Sequence, residues 1–353
     1  MTSADTETAI SSRSLGTPAY RPALTPPFWS GAGAVERNIE LITWAEARGY
    51  QNVWLADRGG VDALTLAAVV LDRVQRIRVG IAVVPAYTRT PAVLAATVAT
   101  LADIAPGRFT LGLGTSSERM IEGWHGLPLA KPLARMRETT VLLRQILAGQ
   151  KTDFDGTTLQ SHGYQQPAIE TSVPLSLAAL GPKMLDLAAE VADGVILNLF
   201  PVSVLETLIA HFRDAATRHG RHLGQLEIAS RFQVMVTNDP ASARDEFRYQ
   251  FAPYYANPVY NKFLSSAGYP DEAAIILEAG RIRDWKRARA ALHDELVDSI
   301  AVIGDRLHCV ERVKRYVEAG ITTPILYCLS EDPDVQRDTF SALAPDNVGW
   351  ADV

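Results

Sequence analysis

Residues 111–117 read Leu-Gly-Leu-Gly-Thr-Ser-Ser and bring two glycines and three hydroxyls into one short stretch. Glycines let a backbone approach a ligand closely, and a polar turn behind them offers amides and hydroxyls. A dinucleotide fingerprint needs a third glycine where Ser117 stands, and it opens the first strand–helix unit, not the fourth. Two readings remain for this stretch. It is a strand end that needs small residues for packing, or Thr115, Ser116 and Ser117 form a turn facing a ligand. Residues 179–184, Ala-Leu-Gly-Pro-Lys-Met, offer a different chemistry. Gly181 permits close approach, Pro182 suits a first helical position, and the amides that follow, with Lys183, attract phosphate or carboxylate. An ordinary strand-to-helix turn would read the same way. Asp57 follows an apolar run and could cap a helix, sit in a solvated turn, orient a cofactor or shuttle a proton. His125, in Gly-Trp-His-Gly, suits either a structural hydrogen bond or proton exchange near neutrality. Arg135, Arg137 and Arg144 read as a solvated helix face. Metalloprotease, nucleophile-elbow and P-loop motifs are absent, and no residues have the spacing of metal ligands. Cys309 and Cys328 fit no disulfide or metal framework and read as packing or surface thiols.

These residues need strands and helices to position them. Short β-branched runs alternate with amphipathic stretches, which argues for a parallel sheet covered by helices. Strands are expected near 21–25 and at 52–56, 77–84, 108–113, 174–179, 194–199, 227–236 and 323–329. Helices are expected at about 35–48, 61–74, 91–104, 132–148, from Pro182, at about 204–219, and at 306–318. Eight such units close more readily into a (β/α)₈ TIM barrel than into a doubly wound sheet, which is the competing fold. Barrel sites are built just beyond the C-terminal ends of the strands. That rule nominates Phe28 and Trp29, Asp57 and Arg58, Pro85 and Tyr87, Thr115 to Ser117, Leu180, Gly181 and Lys183, and Asn198 and Phe200. Residues about 241–297, between strands seven and eight, break the rhythm with at least two extra helical patterns and the aromatic run from Phe247 to Tyr255. Such an insertion lies at the mouth as a lid, a substrate wall or a dimer surface. Residues 1–15 read as a disordered tail, leaving 16–353 as a single domain.

Lys and Arg number 34 against 40 Asp and Glu, a net charge of −6, which argues against a general nucleic-acid surface. The first residues lack the apolar stretch of a secretory signal, and no apolar run is long enough for a membrane span. A cytoplasmic location follows by default, and a homodimer is the default assembly.

Taken together, Gly107–Ser117, Trp-His-Gly-x-Pro (124–128), Lys131–Glu138 and Leu180–Gly194 resemble the bacterial luciferase-like superfamily. The combination is most similar to its coenzyme F420-dependent, methylenetetrahydromethanopterin reductase-like branch, over about 21–329. The resemblance implies a deazaflavin at the barrel mouth and hydride transfer to or from a small organic molecule. It implies cofactor contacts from Asp57, from Ile81, Ala82, Val83 and Val84, from Thr115, Ser116 and Ser117, and from Leu180, Gly181, Pro182 and Lys183. It also implies a non-proline cis peptide between Ile81 and Val83. Relatives that oxidise sugar phosphates carry a histidine after the aspartate, where this chain has Arg58. They carry a glutamate where it has Ser117, with Glu118 next door. Reduction of a carbonyl, imine or activated alkene is therefore expected over sugar-phosphate oxidation, with Asp57 orienting the cofactor and His125 or Glu118 as proton source. The alternatives are an FMN-dependent monooxygenase fed by a separate flavin reductase, and a non-catalytic cofactor-binding barrel.

Overall fold

Eight strands and the helices between them follow the alternation of the sequence. A computed structural model of the chain describes residues 21–348. The expected disordered tail, 1–15, lies outside the described residues. In chain order the first elements are β1 (Ala23–Leu24), α1 (Ala34–Ala47), β2 (Asn52–Leu55), α2 (Ala63–Arg73), β3 (Arg78–Pro85), α3 (Pro91–Ile104), β4 (Phe109–Gly114) and α4 (Pro132–Leu147). They continue with β5 (Leu175–Ala178), α5 (Pro182–Val191), β6 (Gly194–Asn198), α6 (Leu205–Arg218) and β7 (Glu227–Val236). Five helices follow before the barrel resumes: α7 (Pro240–Tyr255), α8 (Pro258–Ser266), α9 (Pro270–Arg281), α10 (Trp285–Ala291) and α11 (Asp294–Ile300). The chain ends its described part with α12 (Arg306–Glu318), β8 (Thr323–Cys328), α13 (Pro333–Ala342) and a short turn of helix.

Helix starts are set by residues the sequence supplies. Pro91, Pro132 and Pro182 occupy first-turn positions where a missing N–H leaves nothing unbonded. Asp62 accepts the Thr65 amide at 2.8 Å and Asp305 the His308 amide at 2.9 Å, capping α2 and α12. The N-cap of α2 is therefore Asp62, and Asp57 is not its cap.

All eight strands run parallel in sequence order, and β1 pairs with both β2 and β8, so the barrel closes. One large core lies between the sheet and the helices. A second, small one fills the barrel interior with Ala23, Trp54, Ile196, Ala229 and Ile325. Trp54 fits there because Gly80 faces it. A Cβ at Gly80 would stand 2.5 Å from the indole. Losing so large a buried side chain costs about 3–5 kcal/mol.

Several sequence expectations change. Residues 153–155 and 160–162 form an antiparallel hairpin that three-residue strands made invisible to a periodicity argument. A further short strand, Val302–Gly304, extends the end of β7. Of the α4 arginines, Arg137 is exposed as expected, while Arg135 and Arg144 are half-buried. Arg135 donates to the carbonyls of Ala86 and Thr158, Arg137 pairs with Glu190, and Arg144 pairs with Asp193. Helical periodicity marks them as outward-facing from their own helix but does not reveal the neighbouring α5. Both cysteines are buried and free, and burial raises both thiols, Cys309 to about 12. No helix among the described residues is long and apolar enough to cross a membrane.

Candidate active site

Strand alternation carries the barrel interior up to its mouth, because every second residue of a strand faces the same side. Above Ile196 on β6 comes Asn198, above Ala229 on β7 comes Arg231, and above Ile325 on β8 comes Tyr327. Asp57, Thr115 and Gly181 follow the C-terminal ends of β2, β4 and β5, so they share this end of the barrel with Asn198. Phe200 does not. It is 4% exposed and packs edge-on against Phe232 in the sheet–helix core. The backbone turns at Leu199, whose φ of 53° sends the next side chain away from the mouth.

Strand β3 ends in a bulge. Ile81 pairs with Leu111 and Val84 with Leu113, so Ala82 and Val83 together face Gly112 alone. The Ala82–Val83 peptide is cis. The two glycines of the Gly-x-Gly are explained here. A Cβ at Gly112 would lie 2.0 Å from the Ile81 carbonyl oxygen, and one at Gly114 would lie 2.4 Å from a Val83 methyl. The packing reading of these glycines therefore holds, and the polar turn begins only at Thr115.

That turn is half-buried. Ser116 adopts a φ of 63° and its Oγ lies 2.9 Å from Met120 Sδ, while Ser117 Oγ accepts the Met120 amide at 3.4 Å. It leads into a π-helical stretch, Arg119–Trp124, bracketed by Glu118 and His125. Both are exposed, and neither side chain has a hydrogen-bond or ion-pair partner among the described residues. Trp124 leans over Gly59 of the β2 loop, which keeps this stretch at the mouth.

Asp57 is fixed by Arg89, whose guanidinium forks between the Asp57 and Asp62 carboxylates. Burial pulls the Arg89 guanidinium down, but its two carboxylate partners leave it raised overall. Arg58 lies over the Phe28 ring at 4.1 Å. At the start of α5, Gly181, Pro182 and Lys183 are exposed, the helix has no side-chain cap, and a Cβ at Gly181 would meet nothing within 4 Å. Lys183 has no ion-pair partner among the described residues. These residues can take the acidic part of a ligand.

The side of the mouth formed by β6, β7 and β8 is covered by the insertion. Gln233 donates to Asn198 Oδ1 at 3.0 Å, and Asn198 donates to the Tyr260 hydroxyl at 3.3 Å. Tyr327 donates to Gln250 Oε1 at 3.0 Å. Burial raises the Tyr260 phenol and pushes Tyr327 up to about 12. Arg231 sits among these phenols, and burial lowers its guanidinium. The sequence rule stopped at the first residues beyond each strand and so missed Arg231 and Arg89. The alternation Ala229, Arg231, Gln233 marks the first, and reading four residues past Pro85 reaches the second.

A barrel with a bulged third strand, an open α5 start and a helical insertion over the last strands meets a known sequence pattern. The family model for luciferase-like monooxygenases matches residues 21–323. The chain belongs to this family. Among curated luciferase-like relatives, a Mycobacterium tuberculosis protein provisionally named as a coenzyme F420-dependent oxidoreductase is 29% identical over 330 residues. That match covers 85% of this chain and 92% of the relative. The 5,10-methylenetetrahydromethanopterin reductase of Methanolobus tindarius is 28% identical over 282 residues, covering 79% and 86%. Among solved structures, the coenzyme F420-dependent tetrahydromethanopterin reductase of Methanopyrus kandleri superposes with a TM-score of 0.77. It is 21% identical and covers 93% of this chain and 97% of its own. The oxygenating component of the Pseudomonas putida 3,6-diketocamphane monooxygenase, in complex with FMN, gives 0.69 at 15% identity, covering 94% and 98%. The two superpositions speak for the fold alone.

Proposed function

We propose that this chain is a coenzyme F420-dependent oxidoreductase that moves a hydride between the deazaflavin and a small organic substrate, in the direction of carbonyl, imine or activated-alkene reduction. The observation that carries the reading is the bulged end of β3, an apolar shelf pinned by Gly112 and Gly114 beside an open helix start with an unpaired lysine. The name of the mycobacterial relative supports the choice of cofactor.

The residues present fit such a group. Ala82 and Val83, half-buried on the barrel-interior side, would back its ring, and Asp57 would orient it. Ile81 and Val84, expected to contact it too, are fully buried in the sheet–helix core and would only shape the bulge. Thr115, Ser116 and Ser117, with Leu180, Gly181, Pro182 and Lys183, would hold its polar and acidic parts. When bound, the deazaflavin supplies or accepts the hydride. The protein's task is then to hold the substrate, exclude water and deliver a proton. Arg89 gives Asp57 one fixed orientation, which suits a positioning carboxylate. His125 and Glu118 are the candidates for the proton.

Fluorescence titration of the purified chain with coenzyme F420 and with FMN tests the cofactor. Tight binding of F420 alone supports the reading, and tight binding of FMN alone replaces it with a monooxygenase. His125→Gln and Glu118→Gln then test the proton source by single-turnover oxidation of the reduced cofactor. A loss of about a hundredfold in one variant is the scale of general acid catalysis. Wild-type rates in both, with normal cofactor binding, would exclude both residues.

A further inference from the structure

Arg231 is a half-buried charge without an ion-pair partner among the described residues. A guanidinium has five N–H donors and no acceptor. Here a single bond is made, to the Ala82 carbonyl at 3.4 Å, and Nε has neither accessible surface nor an acceptor among the described residues. Its charged neighbour is Arg58, another cation. By contrast, Arg89 and Arg248 each bridge two carboxylates, and Arg108 donates to three backbone carbonyls. A half-buried cation held without a counter-charge is completed by an anion that supplies one.

The surroundings narrow the anion. Tyr327 lies under the guanidinium at 5.7 Å, and Phe28 packs on Tyr327 at 5.6 Å. Tyr254 and Tyr260 of the insertion, 6.0 Å apart, also stand near the guanidinium. Tyr260 accepts from Asn198, which itself accepts from Gln233, so the phenolic proton is left to donate elsewhere. A guanidinium fork set among aromatic rings and phenols matches a carboxylate held by two parallel hydrogen bonds. A phosphate dianion would call for more cations than Arg58, exposed at the rim, provides. The bond to Ala82 puts Arg231 against the bulge itself.

We propose that Arg231 receives a carboxylate of the substrate, so that the substrates are small organic acids whose reducible double bond lies close to that carboxylate. The proposal rests on the hydride-transfer reading above for its reaction, but the binding it describes can be measured apart from any turnover. The test uses benzoate as probe, with benzamide as its neutral isostere, added to the cofactor-loaded protein in a calorimeter. Benzoate is expected to bind and benzamide to bind at least about tenfold more weakly, the scale of a charge-assisted contact. Arg231→Met should remove benzoate binding and leave cofactor affinity within about twofold. Removing an unpaired, half-buried charge should leave Tm unchanged or higher. If the Met variant does not fold, Arg231→Lys serves, with benzoate weakened severalfold because the fork is lost. Equal binding of benzoate and benzamide overturns the proposal. So does unchanged benzoate binding in either variant, or an equal loss of cofactor affinity, which would assign the guanidinium to the cofactor. If the wild type takes FMN and not F420, the functional reading fails, and the benzoate comparison on the FMN-loaded protein still decides the role of Arg231.

Discussion

Lys183 stands where a helix start and a positive charge coincide, with no carboxylate among the described residues to neutralise it. If the acidic part of the cofactor lies there, Lys183→Glu should weaken cofactor binding by more than about tenfold at low salt, since a charge-assisted contact is worth about 1.5–3 kcal/mol. Unchanged affinity would move that end of the cofactor elsewhere. The turn from Ala179 to Met184 was legible because proline, glycine and lysine at a strand end have local meanings. Arg89 and Arg231 were not, because their roles depend on partners far along the chain. Arg89 meets Asp57 and Asp62, 32 and 27 positions away, and Arg231 meets Ala82, 149 away. Spacing within one element says nothing about such pairs.

At the scale of elements, two devices hold the mouth in place, and each can be broken singly. Gly112 lets β4 pass the bulge of β3. Gly112→Ala places a methyl against the Ile81 carbonyl at 2.0 Å, which the two strands can relieve only by parting. Overpacking of this kind costs about 1–3 kcal/mol or more, and cofactor affinity should fall with it. Denaturant unfolding together with the F420 titration checks both, and a fully stable variant would show the bulge to be soft. Glu138 is the second device. Its carboxylate, 8% exposed, accepts the amides of Thr157, Thr158 and Leu159 and both threonine hydroxyls, tying α4 to the hairpin. Burial alone would raise the group, but these hydrogen bonds outweigh it and hold the carboxyl down to about 2, from an ordinary 4.5. A depressed acid contributes its full stability above about pH 4.5 and loses it as pH falls toward 2. Glu138→Gln should therefore cost on the order of 2–3 kcal/mol at neutral pH, and the gap to wild type should close between pH 5 and 2. A gap independent of pH would mean the carboxylate charge is not what holds the hairpin. The sequence marked Lys131–Glu138 only as part of a family resemblance, because the hairpin that uses Glu138 has strands too short to read.

Across the whole molecule the barrel and the insertion are separate pieces of hydrophobic packing. The strands and outer helices share one large core, legible as eight repeats of the same alternation. Helices α7 to α11 build their own around Phe247, Tyr255, Leu264, Ile276 and Leu296, reaching the barrel through Leu199 and Leu329. The sequence signalled extra helices there but not their number, since short helices carry few periods of apolar repeat. A unit with its own core, joined to the rest by few buried side chains, opens at lower free energy than the global transition. Hydrogen exchange should therefore show 258–291 exchanging as a group before β3, β4 and β7. The insertion also supplies Tyr254 and Tyr260 to the mouth, beside Arg231. An anion bound to that arginine joins the two pieces, so benzoate added to the cofactor-loaded protein should slow exchange of α7 and α8 and leave the barrel strands unchanged. Uniform exchange across both pieces would show a single cooperative unit. Protection confined to the barrel would show that the insertion does not close over the site.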